Sequence, residues 1–287
     1  VSDVPAAARP DAGSPEAPWV VIDLASGWNP IDPVELWRYR DLLFFLTWRD
    51  ISVRYRQTLL GFLWAILQPF LTMIVFTVFL GKVAGVPSDG IPYPVFSYLG
   101  LLPWMYFSGA VTRSGATFVS NAHLLTRVYF PRVLLPVSAT LSALVDFGIA
   151  FLVLGGLMAW YGLALAWTVL LVIPLLLLTA CAATGVGLGL AALNARYRDV
   201  QYAIPFLMQL WMFATPVVFP ASLVPGGWRL LMALNPLTGL IEAHRAAVLG
   251  RPLDWPTLGI SVASVALLVA LGGWWFRRTE RSLADVV

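Results

Sequence analysis

The 287 residues predict an all-α membrane protein: six transmembrane helices, an N-terminal amphipathic interface helix, and short outer helices between spans five and six. Three observations carry this. Hydrophobic side chains make up 59% of the chain and charged ones only 11%, against roughly 45–50% and about 25% in soluble domains. Mean hydropathy is +0.80, the opposite of the low hydrophobicity that keeps a chain disordered. The apolar residues also fall into six runs, at about 60–82, 97–119, 134–160, 167–193, 201–219 and 257–276. Each approaches the roughly 20 residues that cross ~30 Å of hydrocarbon.

Residues 1–32 are rich in Ala and Pro and carry Asp3, Asp11, Glu16, Asp23 and Asp32 against Arg9. They lack the basic start and apolar run of a signal peptide, and are expected to form a flexible cytoplasmic tail. Asp32-Pro33-Val34-Glu35 then reads as a helix start: an Asp cap, Pro at the first helical position, Glu in the first turn. The interface helix is placed at 33–56. On a helical wheel its apolar residues fall nearly all round, so its amphipathic pattern is weak. Trp37, Phe44, Phe45 and Trp48 interleaved with Arg38, Arg40, Arg49, Arg54 and Arg56 nevertheless suit a membrane interface. A soluble surface helix is the alternative.

The six-span domain is placed at 57–280 and a short cytoplasmic tail at 281–287. The fifth run is interrupted by Pro205 and Pro216. Beyond it, the apolar stretch from Leu230 to Leu249 is broken by Asn235-Pro236, which predicts two short helices at the outer face. Fourteen of the 18 basic residues fall on the side of the termini and four (Lys82, Arg229, Arg245, Arg251) on the other. The positive-inside rule therefore puts both termini in the cytoplasm, with cytoplasmic loops at 120–133 and 194–200.

Several chemistries are excluded. Cys181 is the only cysteine, so an intramolecular disulfide and a cysteine metal cage are ruled out. Lys82, the only lysine, lies outside any G-x-x-x-x-G-K-[ST] phosphate loop. Gly187-Leu188-Gly189-Leu190-Ala191-Ala192 matches a relaxed dinucleotide fingerprint, but it sits inside an apolar span with no preceding strand. Gly185 and Gly189 instead give the small-xxx-small spacing of close helix packing. His123 and His244 fall on opposite sides of the membrane and cannot share a metal. Asp146 is the only acid well inside a span. A charge there calls for a partner, and Arg113 in the neighbouring span is the candidate.

The fifth span carries an informative face. Phe206, Gln209 and Phe213 fall within about 60° of one another at 100° per residue. Two rings flanking an amide suit sugars, which offer C–H faces and hydroxyls. The first span adds Phe62 and Phe76 on a similar face, with Gln68 and Phe70 elsewhere around it. Core packing is the alternative reading of such aromatic stripes.

Residues 53–69 read VRYRQTLLGFLWAILQP. The basic stretch, Gln-Thr, Leu-Gly and a Trp before a proline-terminated turn resemble the start of the first span in type-2 ABC exporter permeases. More narrowly, they resemble the branch that exports O-antigen, capsule, teichoic acid and related lipid-linked glycans. NARYRDV (194–200) and NPLTGLIEAHRAAVLG (235–250) resemble that branch's loop between spans four and five and its outer helical segment. The resemblance covers about 33–280 and leaves out the acidic tail.

This resemblance implies a homodimer of the chain in a bacterial inner membrane, bound to two copies of a separate ATPase subunit. The chain itself would hold no cofactor and have no enzyme site; ATP and Mg would belong to the partner. Nucleic acid would play no part. The substrate would be a lipid-linked polysaccharide, passing a channel lined by Phe62, Phe70, Phe76, Phe206, Gln209 and Phe213. Contact with the ATPase maps to 35–48 and 121–132, with Glu35, Arg38, His123, Arg127, Tyr129, Phe130 and Arg132 as candidates; aromatics and arginines are favoured at such hot spots. Arg54 and Arg56 would meet the lipid pyrophosphate. The alternatives are a type-2 ABC exporter of drugs or lipids, a polytopic polyprenyl-phosphate glycosyltransferase, and a proton-coupled flippase. The transferase would want several acids or a metal at one surface, and the cytoplasmic loops between the second and fifth spans offer only Asp199.

Overall fold

A computed structural model describes residues 37–56, 61–125 and 130–283. The helix start at Asp32–Glu35, residues 57–60 and the candidates Arg127 and Tyr129 lie outside the described residues. The described residues form helices and no strands. In order these are α1 (Arg40–Arg56), α2 (Leu63–Phe76) running on as a π-helix (Thr77–Val83), α3 (Tyr93–Ser120), a single turn α4 (Ala122–Leu125), α5 (Leu134–Trp160), α6 (Val172–Arg196) after a 3₁₀ turn (Trp167–Leu171), α7 (Val200–Phe213), α8 (Gly226–Ala233), α9 (Pro236–Leu249) and α10 (Trp255–Leu283).

Among the described residues, four helical stretches are long and apolar enough to cross a membrane: Leu63–Val83, Leu134–Trp160, Trp167–Arg196 and Trp255–Thr279. The other two expected spans differ for separate physical reasons. The 28-residue α3 is long enough, but it is the hub of the fold. It packs against α2, α5, α6, α7 and α9, so its side chains face protein rather than lipid and include Ser97, Tyr98, Ser114 and Thr117, all buried. The 14 residues of α7 extend only about 21 Å at 1.5 Å per residue. The run expected to reach 219 stops at Phe213 because the chain turns irregular ahead of Pro216.

The main core gathers around α3. Tyr98, Leu99, Phe107, Ala110 and Val111 meet Ala143, Phe147 and Leu154 of α5, Ala182 and Ala183 of α6, and Leu240, Ile241 and Ala247 of α9. Polar groups inside it are tied to backbone: Tyr98 donates to the Ala150 carbonyl at 3.1 Å and Asn194 to the Gly115 carbonyl at 3.0 Å. Against α10, α6 approaches backbone to backbone. A Cβ on Gly185 would come within 2.8 Å of the Leu268 backbone, and one on Gly189 would meet the Gly272 Cα at 3.9 Å, which is the close approach that small residues permit.

The weak amphipathicity of α1 has a structural reason: it carries two apolar faces. Leu46, with Leu42 and Leu43 beside it, joins a second cluster with Phe118, Leu134, Leu135, Leu188 and Phe276. Trp37, Phe44, Phe45 and Trp48 point out, exposed. Its polar contacts with α5 advance together. Asp50 accepts from Ser138 at 3.3 Å, Arg54 donates to Ser142 at 3.3 Å, and Arg54 reaches Asp146 one turn further on. Steps of four on one helix match steps of four on the other, so α1 runs parallel to the first half of α5.

Asn235-Pro236 separates α8 from α9, with Asn235 as N-cap accepting from Leu237 N at 3.1 Å and Pro at the first helical position.

Candidate functional site

Three groups of residues bear on function: an exposed face of α7, an ionic cluster where α1, α3 and α5 meet, and a knot that holds the broken end of α7.

On α7, Ile204 and Met208 turn into the core while the opposite side stays open. Tyr202 is 77% exposed, Phe206 61% and Phe213 56%, and Gln209 is exposed between them. Positions 202, 206, 209 and 213 follow the i, i+4, i+7 spacing of one helical face. Tyr202 extends the expected face by a turn and was missed; its spacing from Phe206 was the available signal. The Gln209 side chain lies on the surface of the single chain.

Only part of the first-span set joins such a surface. Phe62 is exposed, as are Trp64 and Gln68. Phe70 and Phe76 are half-buried and pack against the main core. Helices α2 and α7 both rest on α3.

At the ionic cluster, Asp146 of α5 receives three donors. Arg54 Nη1 lies 2.5 Å from Oδ2 and Arg113 Nη2 lies 3.4 Å from the same oxygen. The Tyr55 hydroxyl donates to Oδ1. Burial first, then the carboxylate beside it, push the Tyr55 phenol up to about 12, so it remains a donor. Arg113 is the partner the sequence suggested; Arg54 and Tyr55 are additions. Arg54, expected at a lipid pyrophosphate, is engaged with Asp146 and Ser142 instead, whereas Arg56 is exposed. Beside the cluster, Arg49 grips Asp50 at 2.8 Å and Asn121 at 2.9 Å. The basic helix α1 is thus fastened by charge-assisted bonds to α5 and to the end of α3.

The ATPase-contact candidates divide. Arg38 is exposed, and His123 sits on the single turn α4. Phe130 is 7% exposed and belongs to the cluster around Leu46 and Phe276. It is therefore an internal packing residue rather than an exposed anchor. Arg132 lies at the turn before α5.

The knot lies where α7 ends. Buried backbone without helical partners needs other donors and acceptors, and side chains supply them. Arg245 is 4% exposed. It donates to the carbonyls of Pro216 at 2.8 Å and Val217 at 2.5 Å, pairs with Glu242 at 2.9 Å, and lies 3.9 Å over the Phe96 ring. Tyr93 donates to the Val218 carbonyl at 2.7 Å. Asn235 donates to Thr215 at 2.8 Å while accepting from Trp211 at 3.1 Å. In the sequence Arg245 counted only as an outer charge. Its position among apolar residues of one helix was the clue to burial.

Residues 41–249 match the ABC-2 type transporter family. The chain is 34% identical over 251 residues to the O-antigen export system permease protein RfbA of Myxococcus xanthus, covering 86% of this chain and 95% of that protein. The same-named permease of Klebsiella pneumoniae is 26% identical over the same shares of both chains. The polysialic acid transport protein KpsM of Escherichia coli is 28% identical over 70% of this chain and 78% of its own length. With a helical bundle of apolar spans, a match across most of its length and relatives similar over most of theirs, this chain belongs to the ABC-2 type transporter family.

Proposed function

We propose that the chain is the permease subunit of an ATP-driven exporter that carries a lipid-linked polysaccharide from the cytoplasm to the outer face of a bacterial inner membrane. The similarity to O-antigen and polysialic acid permeases supports the substrate class. In this reading α2 with its π-helix, α3, α5, α6, α7 and α10 make six spans. Both termini are cytoplasmic, and α1 lies at the cytoplasmic interface with its exposed aromatics in the headgroup region. The chain hydrolyses nothing; two copies of a separate ATPase subunit bind ATP and Mg.

One observation carries the proposal. Gln209 stands exposed between Phe206 and Phe213 on a helix of the membrane domain. An amide facing hydrocarbon loses its hydrogen bonds at a cost of several kcal/mol. The face therefore looks onto a second copy of the chain or onto an aqueous route. Two such faces opposed across a dimer enclose a passage lined with rings and amides. Stacking on rings tolerates changes of register, so a polymer advances along it without one deep site.

Energy enters through the partner. Closure of the ATPase dimer on ATP pushes on α1 and on residues 121–132, and shifts the channel between closed and open populations. The Asp146 cluster and the Arg49–Asn121 contact pass that push to α5 and α3.

The reading is tested by reconstituting the chain with its ATPase partner and measuring ATP hydrolysis with lipid-linked glycan and with a panel of hydrophobic drugs. Stimulation by the glycan alone is expected. Stimulation by the drugs alone would overturn the substrate class.

A further inference from the structure

Beyond the transport reading, we infer that each chain holds one anionic phospholipid in a groove between the first span and α5. The groove has a volume of about 610 Å³, within the roughly 300–1,000 Å³ of small-ligand sites. It lies at the ends of these helices remote from α1. Thr77 and Lys82 of the π-helix form one wall, and Gly156, Leu157 and Trp160 of α5, with Tyr161 just beyond its end, the other. Four features point to a lipid.

The walls are almost wholly apolar, and the groove is open at Gly156, where an added Cβ would meet no heavy atom within 4 Å. Trp160 and Tyr161 close the end where interfacial aromatics sit at headgroup level. The Thr77 hydroxyl is buried without a hydrogen-bond partner among the described residues. Lys82, the only lysine of the chain, is exposed at the rim and forms no ion pair among the described residues.

The chain departs from α-helical geometry at this point. Thr77–Val83 winds as a π-helix, with the Ala84 N–H bonded to the Phe79 carbonyl at 2.9 Å. Such wide turns gather at functional positions. Here the turn presents both Thr77 and Lys82 to the same groove. An acyl chain fills the apolar part, an ester carbonyl accepts from Thr77, and the phosphate meets Lys82. A single lysine matches the one negative charge of a phosphodiester headgroup, which favours a membrane phospholipid over a more highly charged polyprenyl diphosphate.

The test uses the full chain in complex with its ATPase partner, purified in mild detergent and titrated with phosphatidylglycerol or phosphatidylcholine under native mass spectrometry. One phosphatidylglycerol per chain should be retained in preference to phosphatidylcholine. Lys82→Gln should weaken that retention about fivefold, the effect of one basic residue near a membrane surface, while Lys82→Arg keeps it. Gly156→Phe should abolish retention of both lipids. Equal retention of the two lipids by the unaltered complex, indifference to Lys82→Gln in a complex of normal size-exclusion profile, or displacement of phosphatidylglycerol by equimolar polyprenyl diphosphate would each overturn the proposal. None of these outcomes depends on whether the complex exports a glycan.

Discussion

Asp146 shows how one side chain sets the terms for its neighbours. Two guanidinium groups converge on a single carboxylate oxygen, at 2.5 and 3.4 Å, so removing the carboxylate leaves Arg54 and Arg113 facing each other without a counter-charge. Breaking a buried pair by deleting one partner costs about 3–5 kcal/mol. These side chains are about a quarter to a third exposed, which places Asp146→Asn toward the lower end. Arg113→Gln, at the longer distance, should cost less than Arg54→Gln, which also gives up Ser142. Asp146→Asn combined with Arg113→Gln should recover part of the loss, with a coupling of about 0.5–3 kcal/mol in assembly or thermal stability of the complex. Simple additivity of the two changes would deny the pair.

The sequence announced Asp146 as a charge in need of a partner, and Arg113 was within reach along the next span. Arg54 was hidden because the course of α1 along α5 is a tertiary fact with no periodicity of its own. Arg245 presents the complementary case. Replacing it with Met should leave the Pro216 and Val217 carbonyls unpaired at about 1–3 kcal/mol each. The expected result is a clear fall in melting temperature, read by fluorescence-detected size exclusion; an unchanged melting temperature would remove its role as the clasp of the α7 break.

Among the helices, sequence patterns located elements better than they located faces. The run at 134–160 reappears unchanged as α5, and that at 257–276 lies within α10, which continues seven residues further through the charged segment after it. The Asn235-Pro236 break was legible for a local reason, a cap followed by a residue preset for the first turn. Faces were harder to read. Phe76 and Phe206 are both phenylalanines in apolar helices, yet one packs on the core and the other is exposed. Only the position of α3 decides which. The distinction yields a paired expectation. Phe206→Ala, Phe213→Ala and Tyr202→Ala should slow glycan export about two- to tenfold each, the worth of one aromatic contact, while the complex assembles normally. Phe70→Ala and Phe76→Ala should lower stability by about 3–5 kcal/mol or somewhat less for their partial exposure. Normal export in all three α7 variants would remove stacking from the transport mechanism.

For the whole molecule the governing question is where the energy for uphill movement enters. A proton-driven carrier strings ionisable groups through the bilayer. Within the described spans the acid well inside is Asp146, and it is engaged by two arginines and a tyrosine. That arrangement braces α1 against α5 and α3; it does not form a relay across the membrane. The mechanical connections run instead from α1 through its polar seam into α5, and from the end of α3 through Asn121 to Arg49. Both link the cytoplasmic side of the proposed topology to the hub of the bundle, where a partner subunit can do work on it. The chain reconstituted alone in vesicles should therefore build no glycan gradient. The complex with its ATPase should export with ATP present and continue when an uncoupler collapses the proton gradient. Uphill transport by the lone chain, or loss of export on uncoupling at constant ATP, would place the energy source in this polypeptide or in the proton gradient and overturn the division of labour.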